Sequence, residues 1–378
     1  MRIVIAPNAF KNSLHATAVA DAISMGLQQS KLNCETVCFP VGDGGDGTGA
    51  LLVNHLGGKH IVTKVHDPLG RTIDASFGMV ASANTAIIEL ADASGLRLLK
   101  PSEYDPLHAT TYGTGELIKA ALDHGAAQIL LCIGGSATVD AGTGILSALG
   151  ARFYDAARNL LEGLPASLTA VAAVNLLGLD ERLQKTGITI LCDVENILLG
   201  EQGAASVFGP QKGATKAAVE ILETGFRQLC NIAFDESGKD MATIKYGGAS
   251  GGVAAGLHTF LHAELVHGIT HFLAVTGFES ALQDAALVIT GEGSLDVQTL
   301  EGKGPFGVAQ KARANNIPVI GIAGKVPLQH HPKMQEYFDV LLPISNEAMD
   351  LDEAMEKTHD NLVRTARELG NLLALNIR

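Results

Sequence analysis

Short aliphatic runs alternate with amphipathic stretches along most of the chain. Residues 2–6 (RIVIA), 35–41, 286–290 (ALVIT), 318–324 (PVIGIAG) and 340–345 (VLLPIS) read as strands with apolar residues on both faces. Such strands belong in a parallel sheet, because crossover helices cover it on either side. Apolar positions at helical spacing over 14–29 predict an amphipathic helix with Ser13 as its N-cap. Further helices are expected over 48–57, stopped by Gly57 and Gly58, near 305–315, and at the end of the chain to about residue 376.

The middle of the chain is patterned differently. Residues 60–80 alternate with period two around Pro68–Leu69–Gly70, which predicts a hairpin. Strands at 85–90, 128–134 and 188–193 interleave with helices at 114–124 and 214–233. No composition break or Pro/Ser linker divides the two styles. The pattern therefore predicts an α/β chain with one domain inserted into another: residues 1–65 and 285–378 form an open parallel sheet, and 66–284 form a mixed α/β domain.

Composition narrows the partners. The 378 residues are 47% apolar and 18% charged, an ordinary globular balance. The net charge of −13 and the lack of any basic run argue against nucleic acid or anionic lipid as a partner. Small anionic substrates stay open, since screening confines the global field to roughly 10 Å. Of the five cysteines, Cys34 and Cys38 make a C-x3-C pair that no second pair completes into a zinc pattern. The chain begins directly with a strand-like run, and no apolar stretch approaches the ~18 residues of a membrane span. A soluble, reduced, cytoplasmic protein is expected, with a homo-oligomer left open.

Candidate chemistry gathers at four glycine-rich turns after strands: Asp43–Gly47, Gly134–Thr138, Gly291–Asp296 and Gly324–Lys325. In open α/β sheets, ligands bind beyond the carboxyl ends of strands, where glycine lets amides approach an oxyanion. Gly42, Gly44 and Gly47 match the spacing of a dinucleotide cradle, with Asp67 at the distance of its acid. Asp43 and Asp46 would then face a pyrophosphate, which is costly without a cation. With Mg²⁺ the same acids become useful, joined by Glu292; as turn residues they could equally cap the helix at 48–57. Gly134, Gly135 and Ser136 could cradle phosphates, or Ser136 or Thr138 could cap a following helix. Lys11 could neutralise an anion or be a surface lysine. Lys212 lies in a Gly/Pro-flanked turn suited to meeting an anion. Asp193 ends a strand where a general base is often held, and Arg71 is either solvated or an anion clamp. No Walker-type G-x-x-x-x-G-K-[ST] string occurs. The adjacent His330 and His331 read as surface residues.

Taken together, APNAFKNSL, PVGDGGDGT, DPLGR, IGGSATVDAGTG, CDVENILLG, VFGPQKGAT, GGASGGVAAGL and TGEGSLDVQTLEGKGPFGVA resemble the bacterial glycerate kinase family over nearly the whole chain. That resemblance implies a flavodoxin-like open parallel sheet with an inserted mixed α/β domain and an active-site cleft between them. It implies ATP-dependent phosphorylation of D-glycerate to 2-phosphoglycerate, with Mg²⁺, by direct in-line transfer. On this reading Asp193 is the general base, with Asp43 its rival, and Lys11 acts with it in catalysis. Gly134, Gly135, Ser136, Lys212, Gly291 and Gly293 hold ATP phosphates, Arg71 holds the glycerate carboxylate, and Asp43, Asp46 and Glu292 hold the metal. The sequence departs from the family's usual APDSFK at Asn8 and carries the shorter acid at Asp46.

Overall fold

The computed structural model describes residues 1–296, 299, 302–329, 331–345, 347 and 349–375. The expected surface residue His330 and the tail of the last predicted helix at residue 376 lie outside them. Among the described residues thirteen strands follow in chain order. They are β1 (Arg2–Ile5), β2 (Glu35–Cys38), β3 (Lys59–His66), β4 (Thr72–Val80), β5 (Thr85–Glu89), β6 (Gln128–Cys132) and β7 (Arg152–Tyr154). After them come β8 (Ala173–Asn175), β9 (Gly187–Cys192), β10 (Glu264–His267), β11 (Leu287–Ser294), β12 (Val319–Lys325) and β13 (Val340–Pro343).

The chain divides into two compact units, one of Met1–Asp43 with Ile269–Arg378, the other of Gly44–Gly268. These boundaries differ from residues 65 and 285. The helix Thr48–His55 belongs with the second unit because Glu89 of β5 caps its amides, and β3 pairs along its length with β4. On the return side, Phe278 and Ile269 pack in the first unit, against Phe39 and under Gly307.

In the first unit a five-stranded sheet runs β13-β12-β11-β1-β2, parallel throughout. Read from its other edge this is the 2-1-3-4-5 order of a flavodoxin-like sheet. The central strands are buried on both faces, with Ile3, Val4, Ile5, Val288 and Ile289 fully enclosed. The edge strands β2 and β13 are not, since only one neighbour and partial helix cover reach them. The helix Ala16–Gln28 packs on the C-terminal helix Thr358–Leu373, and a side chain at Gly26 would strike the Val363 carbonyl. Its N-cap is His15; Ser13 instead donates to the Met355 carbonyl at 2.7 Å.

The second unit holds a six-stranded sheet in the order β10-β9-β6-β5-β4-β3, plus a separate β7–β8 pair. The strands β5, β6, β9 and β10 are parallel, and β4 and β3 extend the sheet as an antiparallel hairpin. Its own core includes Phe77, Phe153 and Phe226. The register sets Glu89 opposite Cys132 and Cys132 opposite Leu191. Three strand ends therefore finish level, and their loops share one edge. Among the described residues no helix is long and apolar enough to cross a membrane, and all five cysteines are free thiols.

Candidate active site

In the first unit, β1 and β11 are the neighbours at which the strand order reverses, the crevice where such sheets bind ligands. Beyond β1 the chain keeps pairing with β11, the Asn8 amide donating to the Gly291 carbonyl at 2.8 Å. Asn8 Nδ2 then donates to Asp43 Oδ2 at 2.9 Å, and the Gly304 amide reaches the same oxygen at 3.2 Å. An acid at position 8 would set two carboxylates together here; asparagine supplies a donor instead. Glu292 is almost fully buried and accepts from Thr299 Oγ1 at 3.0 Å. Burial pushes its carboxyl up to about 7; Lys303 opposes this, and the nearby Asp43 charge adds to it. Asp43 and Glu292, distant in sequence, thus lie near enough for their charges to interact. Lys11 lies exposed beside them, its amide within 3.7 Å of where a side chain on Gly293 would begin.

The segment expected as a third glycine turn is different. Gly291–Ser294 continue β11 and Gly324–Lys325 continue β12, paired with each other. A Cβ on Gly291 would sit 1.8 Å from the Ile322 carbonyl oxygen, so this glycine permits strand contact rather than a turn. Gly291 is thus a ladder residue, and only Gly293, at the strand end, lies beside Lys11.

In the second unit the strand ends carry Glu89, the Gly134–Ser136 turn and Asp193. The loop that begins at Gly44 lies on the ends of β6 and β9. Gly134 donates to the Gly44 carbonyl at 3.0 Å, and a side chain on Gly134 would strike Gly45 Cα at 2.4 Å. Gly44 takes φ +100° and abuts the Leu191 carbonyl, a conformation and a fit that only glycine supplies. Asp46, on this loop, is ion-paired with Arg97, which also holds Asp92. Asp46 therefore belongs to an arginine-bridged acid cluster with Asp92. Among the described residues no three His, Cys, Asp or Glu side chains meet in an arrangement that could hold a metal ion. Glu89 completes the cluster. Its carboxyl accepts from the Gly47 amide and, at 3.2 Å, from the Gly49 amide. Burial raises it well above the usual carboxylate range, against the Gly47 amide and with Asp46 and Asp92 adding to the rise.

Lys212 is 3% exposed. Its ammonium donates to Ser136 Oγ at 2.6 Å and to the Thr138 carbonyl at 2.7 Å, so the lysine is tied to the Gly134–Thr138 turn. Burial pulls it down to about 7, with Asp140 opposing. Asp140 is wholly buried, and its carboxylate joins Thr111, ahead of one helix, to the start of the next. It accepts from the Thr111 amide at 2.8 Å and Thr111 Oγ1 at 2.7 Å, and from the Gly142 and Gly144 amides at 3.0 and 3.2 Å. Neither Ser136 nor Thr138 caps the next helix, which starts at Thr143 behind Gly142. Asp193 directly follows β9 and is half-buried.

Arg71 binds Asp67 at 2.5 Å and Glu103 at 2.7 Å, internal acids with which a substrate carboxylate would have to share it. Asp67 accepts from the Leu69 and Arg71 amides, each at 2.9 Å. It is the staple of the β3–β4 turn and stands on no βαβ unit, which removes the dinucleotide reading. His331 is half-buried rather than a surface residue. Glu89, Arg97 and Asp140 were missed by the sequence reading. Glu89 had a signal: like Asp193, it is an acid directly after an aliphatic run.

A family model described as the glycerate kinase family matches residues 3–374. The chain is 41% identical over 375 residues to the glycerate kinase of Bacillus subtilis strain 168, covering 99% of this chain and 98% of that protein. It is 40% identical over 382 residues to the glycerate 2-kinase of Escherichia coli K12, covering 100% and 99%. A crystal structure from Salmonella typhimurium LT2, described there as a glycerate kinase 2, superposes with a TM-score of 0.83 at 40% identity, covering 99% of this chain and 98% of that one. With its 2-1-3-4-5 sheet, its second α/β unit and a match from one end to the other, the chain belongs to the glycerate kinase family.

Proposed function

We propose that the chain phosphorylates D-glycerate with ATP as donor, at the 2-hydroxyl, giving 2-phosphoglycerate by direct in-line transfer. The observation that carries this reading is the family match over residues 3–374, and the name of the Escherichia coli relative supports the 2-position. Phosphoryl transfer asks the protein mainly for positioning and charge neutralisation. In the second unit, Gly135, Ser136 and Lys212 are the proposed phosphate contacts; the Gly134 amide already serves Gly44. Phosphate arriving beside Lys212 would favour its charged form and compensate the burial of the ammonium. Asp193 is the proposed base on the substrate hydroxyl, placed at the same strand edge.

In the first unit, Asp43 and Glu292 fit Mg²⁺. The ion is commonly held by one or two carboxylates with phosphate oxygens completing the octahedron, and a buried acid set against a like charge is what a cation relieves. When bound, Mg²⁺ would neutralise phosphate oxygens. Lys11, exposed at the same edge, would add a second positive charge for the transferring group. The free thiols and the absence of a long apolar helix among the described residues support a cytoplasmic place.

The test is an ADP-release assay with ATP, Mg²⁺ and D-glycerate, with the product identified by phosphorus NMR. Turnover with the phosphorus coupled to the C2 proton is expected. No ADP above the glycerate-free blank overturns the activity, and coupling to the C3 protons moves transfer to the 3-hydroxyl.

A further inference from the structure

The helix Thr48–His55 has no cap of its own. Its N-cap is Gly47 in the left-handed region, no side chain of the loop bonds to it, and its first turn holds no acid. Left alone, its first amides would be unsatisfied donors or a landing place for an anion. The structure fills that place from elsewhere in the fold. Glu89, 7% exposed at the end of β5, gives one carboxyl oxygen to the Gly47 amide and the other to the Gly49 amide. Gly49 leaves room for this, since a Cβ there would lie 2.9 Å from Glu89 Oε2. On its other side the same loop is fixed by the Gly134 amide on the Gly44 carbonyl and by the ion pair of Asp46 with Arg97.

We propose that Glu89 is a positioning residue. By capping the loop's helix from a neighbouring strand, it holds Gly44–Gly47 in place against the Gly134–Ser136 turn before any substrate arrives. The helix amides are thereby withheld from phosphate, so this loop presents side chains rather than a backbone anion cradle. The inference rests on the kinase reading only for its kinetic consequence; the capping itself is independent of it.

Hydrogen exchange read by mass spectrometry over residues 41–55, together with steady-state kinetics, tests the proposal on wild type, Glu89→Ala and Glu89→Gln. Glu89→Ala should raise amide exchange at residues 47–49 at least about tenfold. Glu89→Gln keeps one acceptor and should show a smaller rise, confined to one of the two amides, Gly47 or Gly49. If the freed loop is ordered a tenth of the time, apparent affinity falls about tenfold, so KM should rise by that factor with kcat nearly kept. General structural damage would instead lower kcat at constant KM by reducing the active fraction. Unchanged exchange at 47–49 in both variants, or a loss of kcat alone, overturns the proposal. Should Glu89→Ala fail to fold, the rise at Gly47 or Gly49 in Glu89→Gln decides it, and the absence of a rise at either one overturns the proposal. A wild type without glycerate kinase activity would overturn the functional reading while leaving the exchange result to decide the role of Glu89.

Discussion

Lys212 shows how little a residue's type says about its work until its neighbours are known. In sequence it was a cation in a turn; in the fold it is a buried ammonium whose protons go to Ser136 and to the Thr138 carbonyl. Its downward shift has a consequence for stability. Below pH 7 both folded and unfolded chains carry the proton. Between about 7 and the ordinary lysine value the unfolded chain binds it and the folded chain does not. Stability from this group is therefore full above the unfolded value and lost as the pH falls through about 7. Urea denaturation of wild type and Lys212→Met at pH 7 and 9 should show wild type gaining roughly 2 kcal/mol more than the variant over that interval. Parallel pH dependences would mean that Lys212 keeps its proton in the fold. Arg71 makes the opposite point. It was legible as an anion clamp and is one, but for Asp67 and Glu103 of its own chain.

At the scale of elements, the aliphatic runs and helical periods predicted most of what folds. The hairpin, the strands after it and the long helices lie within a few residues of expectation. The strands Arg152–Tyr154, Ala173–Asn175 and Glu264–His267 were not expected, and among the elements that were, the exceptions are glycines. GEGS reads as a turn because glycine after an aliphatic run usually ends a strand. Here β11 continues to Ser294 because β12 approaches too closely to admit a side chain. Gly291→Ala forces its Cβ onto the Ile322 carbonyl and should cost roughly 3 kcal/mol, the upper part of the range for overpacking. A thermal melt that leaves Tm within about 1 °C of wild type would show that β11 and β12 can part without penalty. Caps are the second class of exception. Ser13 had the right chemistry for a helix start, yet its hydroxyl bonds to the distant Met355 carbonyl. Glu89 caps a helix about forty residues away in sequence, which no reading of neighbouring residues can supply.

At the scale of the molecule, each unit carries its own apolar core. Phe77, Phe153 and Phe226 lie in one and Ile3, Ile5 and Ile289 in the other. Residues 44–268 are contiguous and contain one whole sheet with its core, whereas the other unit needs both ends of the chain. Expressed alone, residues 44–268 should melt cooperatively with native near-ultraviolet dichroism, and residues 269–378 alone should not. A fragment 44–268 that exposes its core, binding hydrophobic dye without a cooperative transition, would show that the second unit depends on the first.

Motif strings such as VFGPQKGAT and TGEGSLDVQTLEGKG, with the aliphatic runs between them, determined the family, the α/β class and the insertion of one domain in another. The family is read from the resemblance of those strings, while the α/β class and the insertion depend on local periodicity and residue type, which the order of residues contains outright. The fold alone decided which charges meet. Asp43 and Glu292 come within range of each other's charge because β2 and β11 both flank β1. Asp46, three residues from Asp43, turns instead to Arg97 in the other unit. The stretch GDGGDGT looked like one site because its acids are close in sequence. Its two acids take different partners, Asn8 and the Gly304 amide for Asp43 and Arg97 for Asp46, because electrostatic partnership follows distance in space.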